Sequence, residues 1–334
     1  MTRSLASAGL QLDLAAAVQR LEGVVQRTPL VGFSAPEPRV ELRLKLECLQ
    51  ETGSFKARGA WNNVACLTPA ERAAGVVAAS SGNHGRALAW AARRAGVRAT
   101  IVMPRDAYPN KIQACRELGA EVVLGDDWAH ADELCRERAQ AGAILIHPYD
   151  REGTIQGAGT VGREVLEDWP EVELLLVPVG GGGLLAGCAL AARAGAVAGR
   201  GGCRVVGVEP EGAATMSRAL AAGAPVAVAP LTSAVQGLCP PAAGARNVAI
   251  CAALVERVLT LDDETILAAQ RRLVVEGGWV VEPAGAAAPA VVLSGRLPED
   301  LLAGRSRADP LRVAAIVSGG NPDPEQLRRI EEGA

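Results

Sequence analysis

The chain has no excess of positive charge: 34 lysines and arginines stand against 37 aspartates and glutamates in 334 residues, a formal net charge of −3. Without a basic footprint, nucleic acid is not an expected partner. The eight cysteines (Cys48, Cys66, Cys115, Cys135, Cys188, Cys203, Cys239 and Cys251) form no CxxC pair, and no histidine lies at zinc-ligand spacing from them. They read as free, mostly buried thiols of a reducing cytoplasm. Two uncharged windows, 174–192 and 219–245, are long enough to span a membrane. The first is broken by Pro178 and five glycines and the second by Pro225, Pro230, Pro240 and Pro241, so neither makes a continuous lipid-exposed helix. The N-terminus carries Arg3 and reaches Asp13 without a clean apolar core, so no signal peptide is expected. No long linker, charge block or solenoid repeat divides the chain, and its length suits two lobes.

What is present is a succession of short apolar runs alternating with helical patterns. Leu14, Val18, Leu21 and Val25 recur at helical spacing, and Thr28-Pro29 stops that helix and starts an extended run. Strands are expected at 41–47, 75–80, 99–104, 120–125, 143–147, 173–179, 203–210 and 311–319. Most are unbroken Val/Ile/Leu runs, which suits strands buried on both faces and therefore a parallel α/β fold. The close spacing between 75 and 147 reads as a compact βαβ lobe inserted into a larger one.

The strongest local signal is VPVGGGGLLAG, where an apolar strand runs into Gly180, Gly181, Gly182 and Gly183 and then a helix. Residues without Cβ let backbone N–H groups turn inward around an anion, and a helix N-terminus adds its positive dipole. A plain flexible turn is the other reading, but four adjacent glycines carry an entropic cost that a turn does not require. The run is neither GxGxxG nor GxxxxGK[ST], which disfavours a nucleotide. A second signal, TGSFKARGA, shelters Lys56 between Phe55 and small residues. A sheltered lysine can form a Schiff base, and beside a phosphate cradle it points to pyridoxal phosphate.

With TGSFKARGA (52–60), SSGNHG (80–85), HPYDREGTIQGAGTVGREVLE (147–167), VPVGGGGLLAG (177–187), VVGVEPEGA (205–213), VVEPAGAA (280–287) and VSGGN (317–321) in this order, the chain resembles the fold-type II pyridoxal-phosphate enzymes, in the threonine/serine dehydratase and serine racemase branch. The series covers roughly residues 25 to 325. The resemblance implies a tryptophan synthase β-like fold of two parallel-sheet α/β domains with the cofactor between them: a large domain from 1–74 and 153–334, and a small substrate-side domain from 75–152. It implies a homodimer, with the long N-terminal helix contributing to the interface.

By the same resemblance Lys56 is the Schiff-base lysine and the base for Cα–H, with Phe55 packing by the cofactor. Asn83 is expected to bond the cofactor's phenolic oxygen, Gly180 to Gly183 with Leu184 to hold its phosphate, Ser318 to face its pyridine nitrogen, and Glu282 to line the site. Glu282 could equally cap the helix that follows Pro283. The substrate carboxylate is expected at Ser80, Ser81, Gly82, Asn83 and His84, where either serine could also serve as an N-cap. Ser81 matches the serine that faces the lysine in racemases of this branch, and His84 is given no catalytic role. A cation site in these relatives corresponds to Glu209, Ala213 and Thr215, where the neutral Thr215 removes a carboxylate, so no metal is expected. Glu51 and Arg86 replace residues that serve nucleotide activation in animal serine racemases, and Gln236 stands where relatives carry aspartate.

The implied activity is a dehydratase-type ammonia-lyase that eliminates water from a β-hydroxy amino acid, with threonine and serine as default substrates. Serine or aspartate racemase and a non-catalytic cofactor-binding protein are the alternatives. The segment around Gln236 and the 106–110 loop depart most from the family, leaving room for a larger or aromatic substrate.

Overall fold

In the computed structural model, residues 13–195 and 202–333 are described. Arg3 and the rest of 1–12, on which the signal-peptide expectation rests, lie outside them. Helix α1 (Leu14–Leu21) is capped by the Asp13 side chain and ends at Leu21, four residues short of Val25, with a turn in their place. The N-terminal helix is therefore eight residues long rather than extended. Strands β1 (Leu30–Phe33) and β2 (Val40–Leu46) follow, then α2 (Lys56–Ala65) and α3 (Pro69–Ala74).

The inserted unit runs through β3 (Val76–Ala79), α4 (Asn83–Ala95), β4 (Ala99–Pro104), α5 (Pro109–Glu117), β5 (Glu121–Gly125), α6 (Trp128–Gln140) and β6 (Ile144–Leu145). These strands form a four-stranded parallel sheet in the order β5-β4-β3-β6. The chain returns through α7 (Glu152–Asp168), β7 (Leu174–Pro178), α8 (Gly183–Ala194), β8 (Arg204–Pro210), α9 (Thr215–Ala222), α10 (Ala245–Leu254), β9 (Arg257–Leu261), α11 (Asp263–Val275), α12 (Pro283–Leu293), α13 (Glu299–Leu302), β10 (Leu311–Val317) and α14 (Pro324–Glu331). The second sheet has six strands in the order β1-β2-β10-β7-β8-β9.

All eight expected strands form, β6 as only two residues. The two edges of the six-stranded sheet differ from the expectation, one in direction and one in being unforeseen. The β1 strand pairs antiparallel with β2, and β9, absent from the sequence expectation, pairs parallel with β8. An edge strand buries less of its surface, so RVLTL carries no continuous apolar run to announce it. The window 174–192 is strand, loop and helix, and no helix among the described residues is long and apolar enough to cross a membrane.

Apolar clusters fill both faces of the six-stranded sheet, Val291 and Leu273 on one side and Val161 and Leu185 on the other. Ala60 and Val64 of α2 belong instead to the core beneath the small sheet, with Leu88 and Ile101. Helix α2 is thus seated at the seam between the sheets. Its crossing with α7 is backbone on backbone: a Cβ on Gly157 would stand 2.5 Å from the Arg58 carbonyl oxygen. Helices α7 and α8 cross in the same way: a Cβ on Gly187 would stand 2.5 Å from Ile155 O and 2.6 Å from Gly159 N. The glycine spacing of α7 is the cost of bringing α2 this close.

Substituting Gly157→Ala should force α2 and α7 apart and lower stability by about 1–3 kcal/mol, the usual range for overpacking. Chemical denaturation checks it; an unchanged midpoint would show that the crossing tolerates a methyl.

Candidate active site

The parallel strands β3, β7 and β10 end toward common ground, as expected for ligand sites at the carboxyl ends of such strands. The first turn of α2 carries Lys56, whose Nζ donates to the Pro148 carbonyl at 2.7 Å and stands 5.1 Å from the centre of the Phe55 ring. Burial of the amine lowers its pKa to about 8, against an opposing pull from the Glu282 carboxylate. Phe55 packs against the cluster that includes Leu184 and Val179, and its N–H donates to Ser318 O at 3.1 Å.

Across from it, α4 opens at Asn83, whose Nδ2 donates to Glu282 Oε1 at 2.5 Å while its Oδ1 accepts from Asn321 Nδ2 at 2.7 Å. Asn321 also donates to Thr52 O at 2.9 Å and accepts from Arg86 Nη1 at 2.5 Å. Glu282 makes no cap bond to α12 although it occupies the N-cap position. The cap is not formed, and the carboxylate is instead engaged by Asn83. Burial raises its pKa, and the Asn83 hydrogen bond opposes this. Ser318 follows β10 and donates from its hydroxyl to Ala284 O at 3.2 Å.

The glycine run connects β7 to α8. Gly182 is left-handed at φ 91°. A Cβ on Gly181 would run into the Tyr149 ring and one on Gly182 into Met216, and one on Gly183 would stand 2.8 Å from Tyr149 O. The Gly181 carbonyl accepts from Gly244 N at 3.0 Å and from Asn247 Nδ2 at 2.7 Å, which turns the peptide so that its oxygen faces away. No acceptor among the described residues takes the loop N–H groups from Gly180 to Leu185. Leu184 and Gly181 to Gly183 are buried. A row of sheltered, unsatisfied donors at a helix N-terminus fits a phosphate group.

On the substrate side, Ser80 Oγ accepts from Gly82 N at 3.3 Å and Gly85 N at 3.1 Å, so its hydroxyl caps α4. The Ser81 hydroxyl is half-buried and has no hydrogen-bond partner among the described residues. His84 bonds Ile146 O through Nε2 at 2.8 Å, and burial pushes its pKa down to about 3, so the ring is neutral and packed. The Glu209 carboxylate accepts from Met216 N at 3.0 Å and Ser217 N at 2.8 Å, and the Thr215 hydroxyl reaches Gly180 O at 3.4 Å. Glu51 accepts from Gln26 Nε2 at 3.1 Å near the surface. All eight cysteines are free thiols.

Lys56, Phe55, Asn83, Glu282, Ser318 and the glycine loop are thus linked through direct contacts or shared neighbours. Three participants had no role in the sequence reading: Tyr149, Asn247 and Asn321. Tyr149 and Asn321 sit inside HPYD and VSGGN, so their motifs were visible but their contacts were not.

The sequence matches the pyridoxal-phosphate dependent enzyme family over residues 21–319. It is 36% identical over 313 residues to the phenylserine dehydratase of Ralstonia pickettii, covering 93% of this chain and 92% of that one. It is 37% identical over 323 residues to the L-threonine ammonia-lyase of Thermotoga maritima, covering 95% and 77%. Maize serine racemase superposes with a TM-score of 0.85 at 32% identity, covering 96% of this chain and 97% of that chain.

In cofactor-free protein, acylation of Lys56 followed by peptide mass spectrometry should rise with pH to a midpoint near 8, because the neutral amine is the reactive form. A midpoint near the ordinary 10.5 would contradict the burial argument.

Proposed function

The chain belongs to the pyridoxal-phosphate dependent enzymes, in the branch of the threonine/serine dehydratases and serine racemases, and we propose how its residues carry out a dehydratase-type ammonia-lyase reaction. The reaction removes water from a β-hydroxy amino acid and gives a 2-oxo acid and ammonia. The observation that carries the assignment of roles is the pairing of a low-pKa lysine with a glycine cradle of unsatisfied donors.

Pyridoxal phosphate, when bound, supplies an aldehyde that condenses with an amine and a ring that withdraws electrons from Cα. Lys56 is the residue that holds it, and the Gly180 to Gly183 loop with Leu184 N–H holds its phosphate. Asn83 has a second amide hydrogen beyond the one given to Glu282, and this is the donor to the cofactor's phenolic oxygen. Ser318, whose hydroxyl donates to Ala284 O, would be the residue by the ring nitrogen. A neutral hydroxyl would not hold that nitrogen protonated as a carboxylate would, leaving the ring the weaker electron sink that suits elimination.

The substrate carboxylate is placed at the start of α4, where the dipole and free N–H groups favour an anion and Ser81 offers a hydroxyl. Gly82 and the backbone of His84 belong to the same turn. Lys56 removes the Cα proton: an amine with a pKa near 8 has an appreciable neutral fraction at physiological pH, whereas an exposed lysine is almost wholly protonated. Glu282, its pKa raised by burial, accepts from Asn83 Nδ2 and so orients that amide in the site. Threonine, serine and phenylserine are the candidate substrates, the last because it names one of the relatives.

A second reading, racemisation of serine or aspartate, is favoured by one observation, the unengaged Ser81 hydroxyl, which can return a proton to Cα. The residue boundaries 1–74 with 153–334 and 75–152 are proposed as the large and small domains, with α2 contributing to the small domain's core. A cytoplasmic homodimer is the proposed setting. The free thiols support the first part, and Val18, 40% exposed on α1, supports the second.

Incubated with threonine, serine and phenylserine, the loaded protein should release 2-oxo acid from at least one, and Lys56→Ala should abolish release while circular dichroism stays native. Release of the D-amino acid faster than 2-oxo acid would overturn the lyase assignment in favour of racemisation, and activity retained by Lys56→Ala would remove the lysine from the mechanism.

A further inference from the structure

We propose that Tyr108 and Gln236 set which β-substituent the site accepts, and that the pair favours an aryl group over a methyl. The inference rests on the lyase reading above and names the substrate class within it.

The two residues come from opposite sides of the seam. Tyr108 lies just before α5, on the turn that leaves the carboxyl end of β4 in the small sheet. Gln236 lies in the segment between α9 and α10, on the side of the large sheet. Gln236 Nε2 donates to the Tyr108 hydroxyl oxygen at 3.3 Å, so a side-chain contact joins the two sides.

Both ends of this contact border the site. Gly237 O lies 3.2 Å from where a Cβ on Gly180 would stand, and a Cβ on Gly237 would lie 3.3 Å from Ala284 Cβ. Gly180 opens the phosphate cradle, and Ala284 is the residue whose carbonyl holds Ser318. On the other side, Lys111 Nζ sits 5.2 Å from the centre of the Tyr108 ring, and its charge is felt by the Glu282 carboxyl. Lys111 thus links the Tyr108 turn electrostatically to Glu282, the acceptor of the Asn83 amide.

The chain is poor in aromatic residues, with two phenylalanines, two tyrosines and five tryptophans. Both tyrosines, Tyr108 and Tyr149, and one phenylalanine, Phe55, stand around this one site. Tyr108 remains 43% exposed, the kind of apolar surface left for a ligand, and its tethered hydroxyl fixes where the ring lies. A methyl substituent offers one carbon to that ring. An aryl substituent offers an offset or edge-to-face partner, and the nearby ammonium of Lys111 adds attraction to either ring.

The test uses cofactor-loaded protein and two ligands without a β-hydroxyl, so that neither can undergo the elimination: phenylalanine and 2-aminobutyrate, the deoxy counterparts of phenylserine and threonine. Calorimetric titration should show tighter binding of phenylalanine by the wild type. Tyr108→Ala should reduce that preference about tenfold, equivalent to about 1.4 kcal/mol, while 2-aminobutyrate changes less than about twofold. Gln236→Ala should reduce it in the same direction by less, and Tyr108→Phe should retain most of it. An unchanged ratio in Tyr108→Ala, or equal weakening of both ligands, overturns the inference. Unchanged cofactor absorbance in each variant shows that the site is intact. If the ratio shifts as described but no β-hydroxy amino acid yields a 2-oxo acid, the specificity inference stands and the lyase reading fails.

Discussion

The site depends on a guanidinium sealed from water two residues beyond Lys56. Arg58 is fully buried and gives its Nε and Nη2 to Glu47 at 2.8 and 2.6 Å and its Nη1 and Nη2 to Glu164 at 2.6 and 2.9 Å. Further bonds go to Thr160 Oγ1 and Gln26 O. Lys45, also fully buried, completes the charge balance on Glu164 at 2.6 Å and donates to Thr28 O. A buried ion pair adds little net stability over a well-packed apolar substitute, but losing one partner costs about 3–5 kcal/mol because a charge is stranded. This network therefore fixes geometry: it ties α2 to the end of β2 and to α7. Positions i and i+2 of a helix point about 200° apart, so anchoring Arg58 in the core aims Lys56 at the opposite side, into the seam.

On that opposite side a polar chain crosses between the sheets. Arg86, Asn321, Asn83 and Glu282 are joined in sequence by side-chain hydrogen bonds, with α4 contributing from the small sheet and the segments after β10 and before α12 from the large one. The ends of the two sheets are thus held in register by the same groups that are proposed to bind the cofactor. Any movement of one sheet against the other would alter the hydrogen bonds around Lys56, which links the architecture to the chemistry.

Most of the fold was legible because its central strands are buried on both faces and so appear as unbroken apolar runs. The edges were not: β9 is half-polar, and β1 runs antiparallel for reasons of pairing that a single segment does not encode. The cofactor side was legible for a different reason, since four glycines and a sheltered lysine are costly features with few uses. Glu282 illustrates what sequence leaves open. Its place before Pro283 suits a helix cap or a site residue equally, and only the position of Asn83, 199 residues away, decides. As helix caps Ser80 and Ser81 were equal candidates in the sequence, and the backbone separates them, engaging one hydroxyl and leaving the other. Tyr108 and Gln236 stood out only as departures, and their contact appears once the two sheets face each other.

The central claim is that Lys56 is the attachment point of the cofactor. The chain has three lysines, Lys45, Lys56 and Lys111, so the alternatives are few. Loading the protein with pyridoxal phosphate, reducing it with borohydride and mapping the modified peptide by mass spectrometry distinguishes them. The account predicts a single adduct on the peptide containing Lys56. An adduct on Lys111, or none on any lysine, would contradict it.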